Sequence, residues 1–225
     1  MFLPGLTSCN GYIGLRTLKS IGYACAHNTY KSQAPMSIPR YHGVAQALHW
    51  LTAGALCLLL PFVWVAENFP PGPIRTLWYL AHESMGISVF LLVLMRLTWR
   101  WRHKTPPYPG HMGTVQRWVA RLNHGLLYAV LLVMPVTGYM MAGNGQRVPW
   151  FRLVNLPGFP HNEALGIAAD NIHVAGQFVL YSLIILHVGA TVWHVAVRRD
   201  GLLERMLPEQ RTGQNMAAQA FDEER

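Results

Sequence analysis

The sequence predicts an all-α fold, a transmembrane four-helix bundle with both termini in the cytoplasm. Composition, four long apolar stretches and the placement of the basic residues support it. Apolar residues make up 52% of the 225 residues and charged residues 12%, roughly half the charged share of soluble domains. Mean hydropathy is +0.19. A soluble chain of this size could not bury that much apolar surface, and disordered, collagen-like and coiled-coil chains are excluded by the same figures.

Four stretches are long enough to cross a bilayer, which takes about 20 residues. Residues 41–66, 122–146 and 171–197 carry no charge, and residues 76–95 carry only Glu83. Lipid cannot satisfy backbone polar groups, so each stretch should be helical, and Pro61 and Pro135 are tolerable as kinks inside a membrane bundle. The predicted spans cover about residues 43–66, 76–99, 122–143 and 171–197.

The basic residues predict the orientation of these spans. Fifteen of the 18 lysines and arginines lie in the N-terminal segment, the link between spans two and three, or the C-terminal tail. By the positive-inside rule these three segments are cytoplasmic. The net charge of +8 could indicate nucleic-acid binding. Because the basic residues flank apolar runs, we expect a lipid bilayer and no nucleic acid as partner.

The chain divides into three parts. Residues 1–37 form an N-terminal extension that is basic and free of acidic residues, and a true translation start at Met36 is the alternative. Residues 38–208 form the membrane domain, and residues 209–225 form a polar tail. Cys9, Cys25 and Cys57 fit no CxxC or CxxCH pattern, so neither a zinc knuckle nor covalent c-type haem is indicated.

Histidines are the candidate functional residues. Ionisable groups within a bilayer are costly and point to function, although each could instead hydrogen-bond across the bundle. Six of the 11 histidines lie in or beside the predicted spans: His49, His82, His124, His173, His187 and His194.

Four of these histidines are predicted to form two pairs at different depths. His173 and His187 are 14 residues apart on span four, so they share a helix face and lie about 21 Å apart along the axis. Counting from the charged boundaries places His49 at the depth of His187 and His82 near that of His173. Opposed histidines among apolar and small residues suit the axial ligation of a flat macrocycle. Zinc would require further ligands.

The sequence resembles the bacterial cytochrome b561 family over roughly residues 38–208. The matching residues are Arg40-Tyr41 and Leu48-His49-Trp50, Ala81-His82 with Gly86-Ile87-Ser88, Met95-Arg96-Leu97, Thr105-Pro106-Pro107, the series His124, Tyr128, Pro135 and Gly138, Pro149-Trp150-Phe151, and the series His173, His187 and His194.

The resemblance implies a multi-pass protein of the bacterial inner membrane with two haem b groups. The family's axial ligands fall on four histidines, His49 and His187 for the inner haem and His82 and His173 for the outer haem. Bis-histidine iron has no open coordination position, which favours one-electron transfer over oxygen activation. The resemblance further implies a superoxide:ubiquinone oxidoreductase, with superoxide as the outer donor and ubiquinone as the acceptor. Sequence alone does not show this donor.

Further residues are candidates for contacts around the haems. His124 and His194 are expected near the cytoplasmic interface, below His187, as quinone contacts or haem propionate contacts. Arg96 and Arg100 could pair with propionates or serve as topology charges. In the outer link, Arg147 and Arg152 could attract a small anion. Asp170 replaces a lysine that the family can carry, which weakens that attraction.

Three alternatives remain open. A cytochrome b anchor would relay electrons from a partner dehydrogenase or hydrogenase. Whether the chain forms a homodimer or binds a redox partner protein is left open for each of these functions. A histidine-lined metal transporter would require acidic or thiol ligands on the histidine faces, where only Glu83, beside His82, is a candidate. A purely structural membrane protein would bind no haem.

Overall fold

The computed structural model of the chain describes residues 39–208. Within this range four helices are long and apolar enough to cross a membrane, which confirms the four predicted spans. They are α1 (Gly43–Glu67), α2 (Pro73–Arg102), α3 (Thr114–Ala142) and α4 (Glu163–Trp193). A π-helical turn (His194–Arg198) continues α4, and a 3-10 turn (Glu204–Met206) follows. The predicted N-terminal extension, residues 1–37, and tail, residues 209–225, lie outside the described residues.

Two helices begin earlier than the sequence predicts. The prediction placed the start of span three at residue 122 and that of span four at residue 171, because Arg121 and Asp170 end the charge-free runs. The helices instead begin at Thr114 and Glu163, because a helix can continue through the interface beyond the apolar core. At the start of α4 the Asn162 side chain accepts a hydrogen bond from the Leu165 N–H at 3.0 Å, which satisfies a free helix donor.

The four helices run alternately up and down. Their closest packing joins α1 to α2 and α3 to α4, with a smaller contact between α2 and α3. At one end, here called the basic end, α1 and α3 begin and α2 and α4 finish. At the other end, here called the hairpin end, a β-hairpin follows α3.

A small apolar core holds the bundle together at mid-height. Its five buried residues come from all four helices: Leu59, Val89, Val93, Leu131 and Leu180. Many large apolar side chains of the helices are exposed, above all on α4. That distribution suits lipid as the surrounding solvent, where close packing rather than burial from water joins the helices.

The all-α prediction is correct only in part. The fold is mostly helical, but the link after α3 contains a β-hairpin. Strand β1 (Val148–Trp150) pairs antiparallel with β2 (Val154–Leu156). The Leu153 N–H donates to the Trp150 carbonyl at 2.9 Å. Phe151 and Arg152 both have positive φ, 48° and 60°, as a type I′ hairpin turn requires. Neither is Gly, Asn or Asp, so the sequence held no turn signal here.

Two serines of α2 hold this hairpin against the bundle. The fully buried Ser84 hydroxyl accepts a hydrogen bond from the Phe151 N–H at 2.8 Å. One turn later, the Ser88 hydroxyl accepts from the Trp150 indole N–H at 3.2 Å. The hairpin is therefore anchored beside the helix that carries His82.

The segment after α4 folds back over the basic end. Arg205 is only 3% exposed, and its guanidinium donates to the Pro39 carbonyl at 3.0 Å and the Pro107 carbonyl at 2.7 Å. It thus joins the chain before α1, the α2–α3 link and the C-terminal segment. The Tyr41 N–H also donates to the Arg205 carbonyl at 3.0 Å.

Two side chains of α1 complete this attachment. The Gln46 amide donates to the Leu207 carbonyl at 3.0 Å, and the Trp50 indole donates to the Met206 carbonyl at 2.8 Å. We name residues 199–208, held by these bonds, the C-terminal clasp. Nothing in the sequence pattern predicted it, since its bonds join residues that are far apart in the chain.

Candidate haem sites

One histidine pair lies toward the hairpin end. His82 of α2 and His173 of α4 have ring centroids 6.3 Å apart and ring planes at 80°. His82 lies nine residues into α2, and His173 lies ten residues into α4. The two rings therefore face each other across the bundle at the same depth.

The hydrogen bonds made by the two rings fix which ring nitrogen is free. His82 Nδ1 lies 3.3 Å from the Leu59 carbonyl, so Nδ1 carries the hydrogen. His173 Nδ1 lies 3.0 Å from the Thr137 hydroxyl, which itself donates to the Val133 and Met134 carbonyls and so accepts from the imidazole. Both Nε2 atoms keep a free lone pair. Metal-binding histidines in proteins have this arrangement.

The other pair lies toward the basic end. His49 of α1 and His187 of α4 have ring centroids 6.2 Å apart and ring planes at 67°. His49 Nδ1 is buried and has no hydrogen-bond partner among residues 39–208. Burying a polar atom without a hydrogen-bond partner costs free energy. The His49 ring therefore keeps a polar nitrogen that no side chain of residues 39–208 satisfies.

The ring of His124 lies beside that of His187, with the two centroids 5.1 Å apart. The predicted depth of His124, near the cytoplasmic interface and below His187, stays a prediction. Arg121, from which that depth was counted, lies two turns inside α3. His124 Nδ1 lies 2.5 Å from the Ala120 carbonyl.

His194 lies further toward the basic end, as its position after His187 predicted. It begins the π-helical turn and is 6% exposed. Its Nδ1 lies 2.6 Å from Asp200 Oδ2, and the exposed His111 lies 3.2 Å from the same oxygen. Asp200 and His111 were missed from the sequence, because they come from separate links that only the fold brings together.

The Asp200 carboxyl is held ionised by its neighbours. Burial alone would raise its pKa, but the hydrogen bonds and charges of His194 and the hydrogen bond of His111 outweigh burial and lower the pKa of this carboxyl below its ordinary value. A carboxyl whose pKa is lowered in the folded state contributes stability above its unfolded pKa and loses it as the pH falls through the folded pKa.

We therefore expect Asp200→Asn to lower thermal stability at pH 7, with a difference from wild type that shrinks as the pH falls below about 4. Melting curves of both proteins across that range would test this. Asp170→Asn, which changes an exposed carboxyl of α4, is the matched control and should follow wild type. A wild-type advantage that persists unchanged at low pH would contradict the expectation.

A cationic cavity of about 320 Å³ opens at the basic end beside His124. Arg96 and Arg100 of α2 lie in its wall, and both guanidiniums stand over the Tyr128 ring, at 5.4 and 5.9 Å from its centroid. A larger open cavity of about 650 Å³ lies beside His111 and Asp200. Neither lining contains one of the four paired histidines, but the smaller cavity is lined by His124. Because the His124 ring lies 5.1 Å from that of His187, the smaller cavity is the one beside a candidate site.

Comparison with known proteins identifies the family. A family model described as prokaryotic cytochrome b561 matches residues 40–209. This chain belongs to the prokaryotic cytochrome b561 family. The matched range contains all four helices and both histidine pairs. The family transfers electrons across membranes, so the chain is a multi-pass bacterial membrane protein of haem-based electron transport.

Individual relatives agree with this assignment. Cytochrome b561 homolog 1 of Escherichia coli K12 is 28% identical over 166 residues, covering 73% of this chain and 94% of the relative. Probable superoxide oxidase CybB of Yersinia pestis is 26% identical over 180 residues, covering 76% and 98%. Cytochrome b561 homolog 2 of Escherichia coli K12 is 27% identical over 182 residues, covering 75% and 91%.

Cytochrome b561 membership implies b-type haem, and the histidine pairs fit this group. A metal–imidazole bond of about 2.0 Å, with the nitrogen about 1.1 Å from the ring centre, would separate two axial rings by roughly 6.2 Å. The observed separations are 6.2 and 6.3 Å. Gly86 lies one turn after His82, and a Cβ there would meet nothing within 4 Å, which leaves open space beside the ring.

The cytochrome b561 chain has no competing metal site among residues 39–208. No group of three or more His, Cys, Asp or Glu side chains in that range is arranged to hold a metal ion. Zinc sites built from protein ligands need three or four such groups. The candidate ligands are therefore pairs of histidines, which suit a metal whose remaining ligands belong to a macrocycle.

Proposed function

We propose that this cytochrome b561 holds two haem b groups, one between His49 and His187 and one between His82 and His173, and carries single electrons across the bacterial inner membrane. Two pairs of imidazole rings support this proposal. Their centroid separations match, at 6.2 and 6.3 Å, and the two pairs lie at different depths along α4. Their α4 members are 14 residues apart, about 21 Å along the axis.

The bound haem irons would supply reversible one-electron redox chemistry without an open coordination position. The chain's own part is to hold the rings and set their surroundings. Leu59 and Thr137 fix the orientation of the hairpin-end rings through Nδ1. The buried apolar cluster that includes Val89 and Leu180 lies between the two pairs along the helices and keeps water away from them, which would tune their potentials.

The direction of transfer follows from the proposed orientation. Fifteen basic residues flank the basic end or lie in the segments joined to it, so we place that end and both termini in the cytoplasm. The hairpin end then faces outward, where Arg147 and Arg152 would attract an anionic donor. His124, His194, Arg96 and Arg100 lie at the inner side, as proposed contacts of a quinone or of haem propionates.

We further propose superoxide as the electron donor and ubiquinone as the electron acceptor. Their support is the resemblance of the motifs and the name of the Yersinia pestis relative, a probable superoxide oxidase. The exposed Asp170, three residues before His173, places a negative charge near the proposed entry. We therefore assign anion attraction to the arginines of the link and not to the start of α4.

A reduced-minus-oxidised absorption spectrum of the purified protein tests the haem assignment. Two low-spin b-type haems per chain are expected. In proteoliposomes loaded with ubiquinone, superoxide should then reduce the haems and the quinone in sequence. A colourless protein would overturn the haem proposal and favour a structural role or a metal transporter. Haems that superoxide leaves oxidised would favour an anchor subunit fed by a dehydrogenase or hydrogenase.

Gly138 of α3 offers a test of the hairpin-end site that leaves all four histidines in place. A Cβ at this position would lie 3.0 Å from His173 Cε1, closer than most real Cβ contacts, so the ring would have to shift. Gly138→Val should therefore displace the ring and lower haem content from two toward one per chain, as measured by the pyridine haemochrome assay. Gly125→Val on the same helix is the control, because a Cβ there would meet nothing within 4 Å. Equal haem content in both variants would contradict the expectation.

A further inference from the structure

The cationic cavity at the basic end carries more positive charge than the haem chemistry requires. Its lining includes four permanently charged side chains, Arg40, Arg96, Arg100 and Lys104, and no carboxylate. Within residues 39–208 the ion pairs involve only Glu67 and Asp200, which lie elsewhere. Like charges gathered without a counter-charge repel one another, so such a cluster calls for an anion from outside the chain.

The cavity has an inner and an outer part. Arg96 is half-buried and shares the cavity wall with His124, so it is the cation best placed for a haem propionate. Arg100 lies one turn further, about 6 Å along the axis, and Lys104 follows the end of α2. Both are exposed. These two cations form the outer rim, on the far side of Arg96 from the histidine pair.

The aromatic residues beside the outer rim are typical of a membrane–water interface. The Trp99 and His103 rings stack at 3.8 Å and 11°, and the His42 ring lies 5.1 Å from Trp99. All three line the cavity where a membrane-spanning helix ends. Tryptophan at such a position lies at the level of lipid headgroups, and basic pockets between transmembrane helices bind acidic headgroups.

From this geometry we infer that the outer rim, Arg100 and Lys104 beside the Trp99–His103 stack, binds the phosphodiester headgroup of an acidic phospholipid. The guanidinium and the ammonium bind phosphate oxygens through charge-assisted hydrogen bonds, and the stacked rings pack against the glycerol region. The site lies outside the histidine pairs. It assigns Arg100 to the lipid headgroup in place of the quinone or propionate contact proposed above, and leaves Arg96 for that contact.

Native mass spectrometry of the full-length, haem-loaded protein in detergent tests this site. Short-chain phosphatidylglycerol and phosphatidylcholine are titrated separately, and glycerol phosphate serves as the soluble form of the headgroup. We expect wild type to prefer phosphatidylglycerol at least tenfold. Lys104→Gln should weaken phosphatidylglycerol binding about fivefold and the Arg100→Gln/Lys104→Gln double variant about 30-fold.

Arg102→Gln is the matched control, since Arg102 belongs to the same last turn of α2 but does not line the cavity. It should change binding less than twofold. The assignment is overturned if both lipids bind equally, if Arg102→Gln weakens binding as much as the double variant, or if glycerol phosphate displaces the lipid at equal concentration. It is also overturned if Lys104→Gln removes haem. Haem content read from the same spectra separates failure of the haem proposal from failure of the lipid site.

Discussion

Replacing His187 by alanine should lower the haem content from two to one per chain. His187 is the α4 member of the basic-end pair, and its ring lies 6.2 Å from that of His49. An iron deprived of one of two axial imidazoles loses its low-spin bis-histidine state, and a non-covalent haem then loses a main source of affinity. The hairpin-end pair lies about 21 Å away along α4 and should keep its haem.

The measurement is the haem-to-protein ratio combined with the low-temperature spectrum, in which one of two b-type components should disappear. His173→Ala should remove the other component. His111→Ala is the control, because this exposed histidine lies in the α2–α3 link, and it should leave both components. Two haems retained in His187→Ala would show that the proposed pairing is wrong.

The His124→Ala variant tests whether His49 or His124 is the partner of His187. The ring of His124 is 5.1 Å from that of His187, so it is the one other imidazole close to the basic-end pair within the described chain. We expect this variant to keep two haems, because the His49 ring lies 6.2 Å from that of His187, the separation that suits two rings on one iron, whereas the His124 ring lies at 5.1 Å. Loss of a haem in His124→Ala, with His49→Ala unaffected, would transfer the ligand role to His124.

Replacing Arg205 by alanine should cause the largest loss of stability among the substitutions away from the histidines. Its guanidinium, 3% exposed, donates to the Pro39 and Pro107 carbonyls. Each hydrogen bond from a charged donor contributes about 1.5–3 kcal/mol, and both of these bonds are partly buried. We expect a decrease of about 3 kcal/mol in the free energy of unfolding.

Reversible unfolding in mixed micelles, followed by the haem Soret band and by tryptophan fluorescence, would measure this loss. Arg205→Lys should have an intermediate effect, since an ammonium keeps the charge but not the fork geometry of the guanidinium. Arg102→Ala, which removes an exposed arginine, should change stability by less than about 0.5 kcal/mol. Equal stability of Arg205→Ala and Arg102→Ala would show that the C-terminal clasp contributes little to the fold.

The sequence was sufficient for the number of helices, their alternating direction and the proximity of the paired histidines. Charge-free runs mark membrane crossings directly, and a 14-residue separation on one helix places His173 and His187 on one face. Counting residues from Arg40 and Arg75 then gave the depths of His49 and His82. These inferences depend only on helix geometry and on the cost of charge in lipid. The ligand roles of the four histidines stay a proposal.

The sequence was less informative wherever a charged residue does not coincide with a structural boundary. Arg121 and Asp170 interrupt the apolar runs but lie inside α3 and α4, so the starts of these two helices were predicted too late in the chain. The hairpin turn at Phe151 and Arg152 has none of the usual turn residues. The clasp around Arg205 and the contacts of Asp200 join segments far apart in the chain, and no local pattern encodes such contacts.

The positions of the iron atoms in an experimental structure of the haem-loaded protein test the central claim most directly. Iron can be located by anomalous scattering or in a high-resolution map. We expect two irons per chain, one held by Nε2 of His49 and of His187 and the other by Nε2 of His82 and of His173. A single iron, or an iron held by His124 in place of His49, would contradict the account.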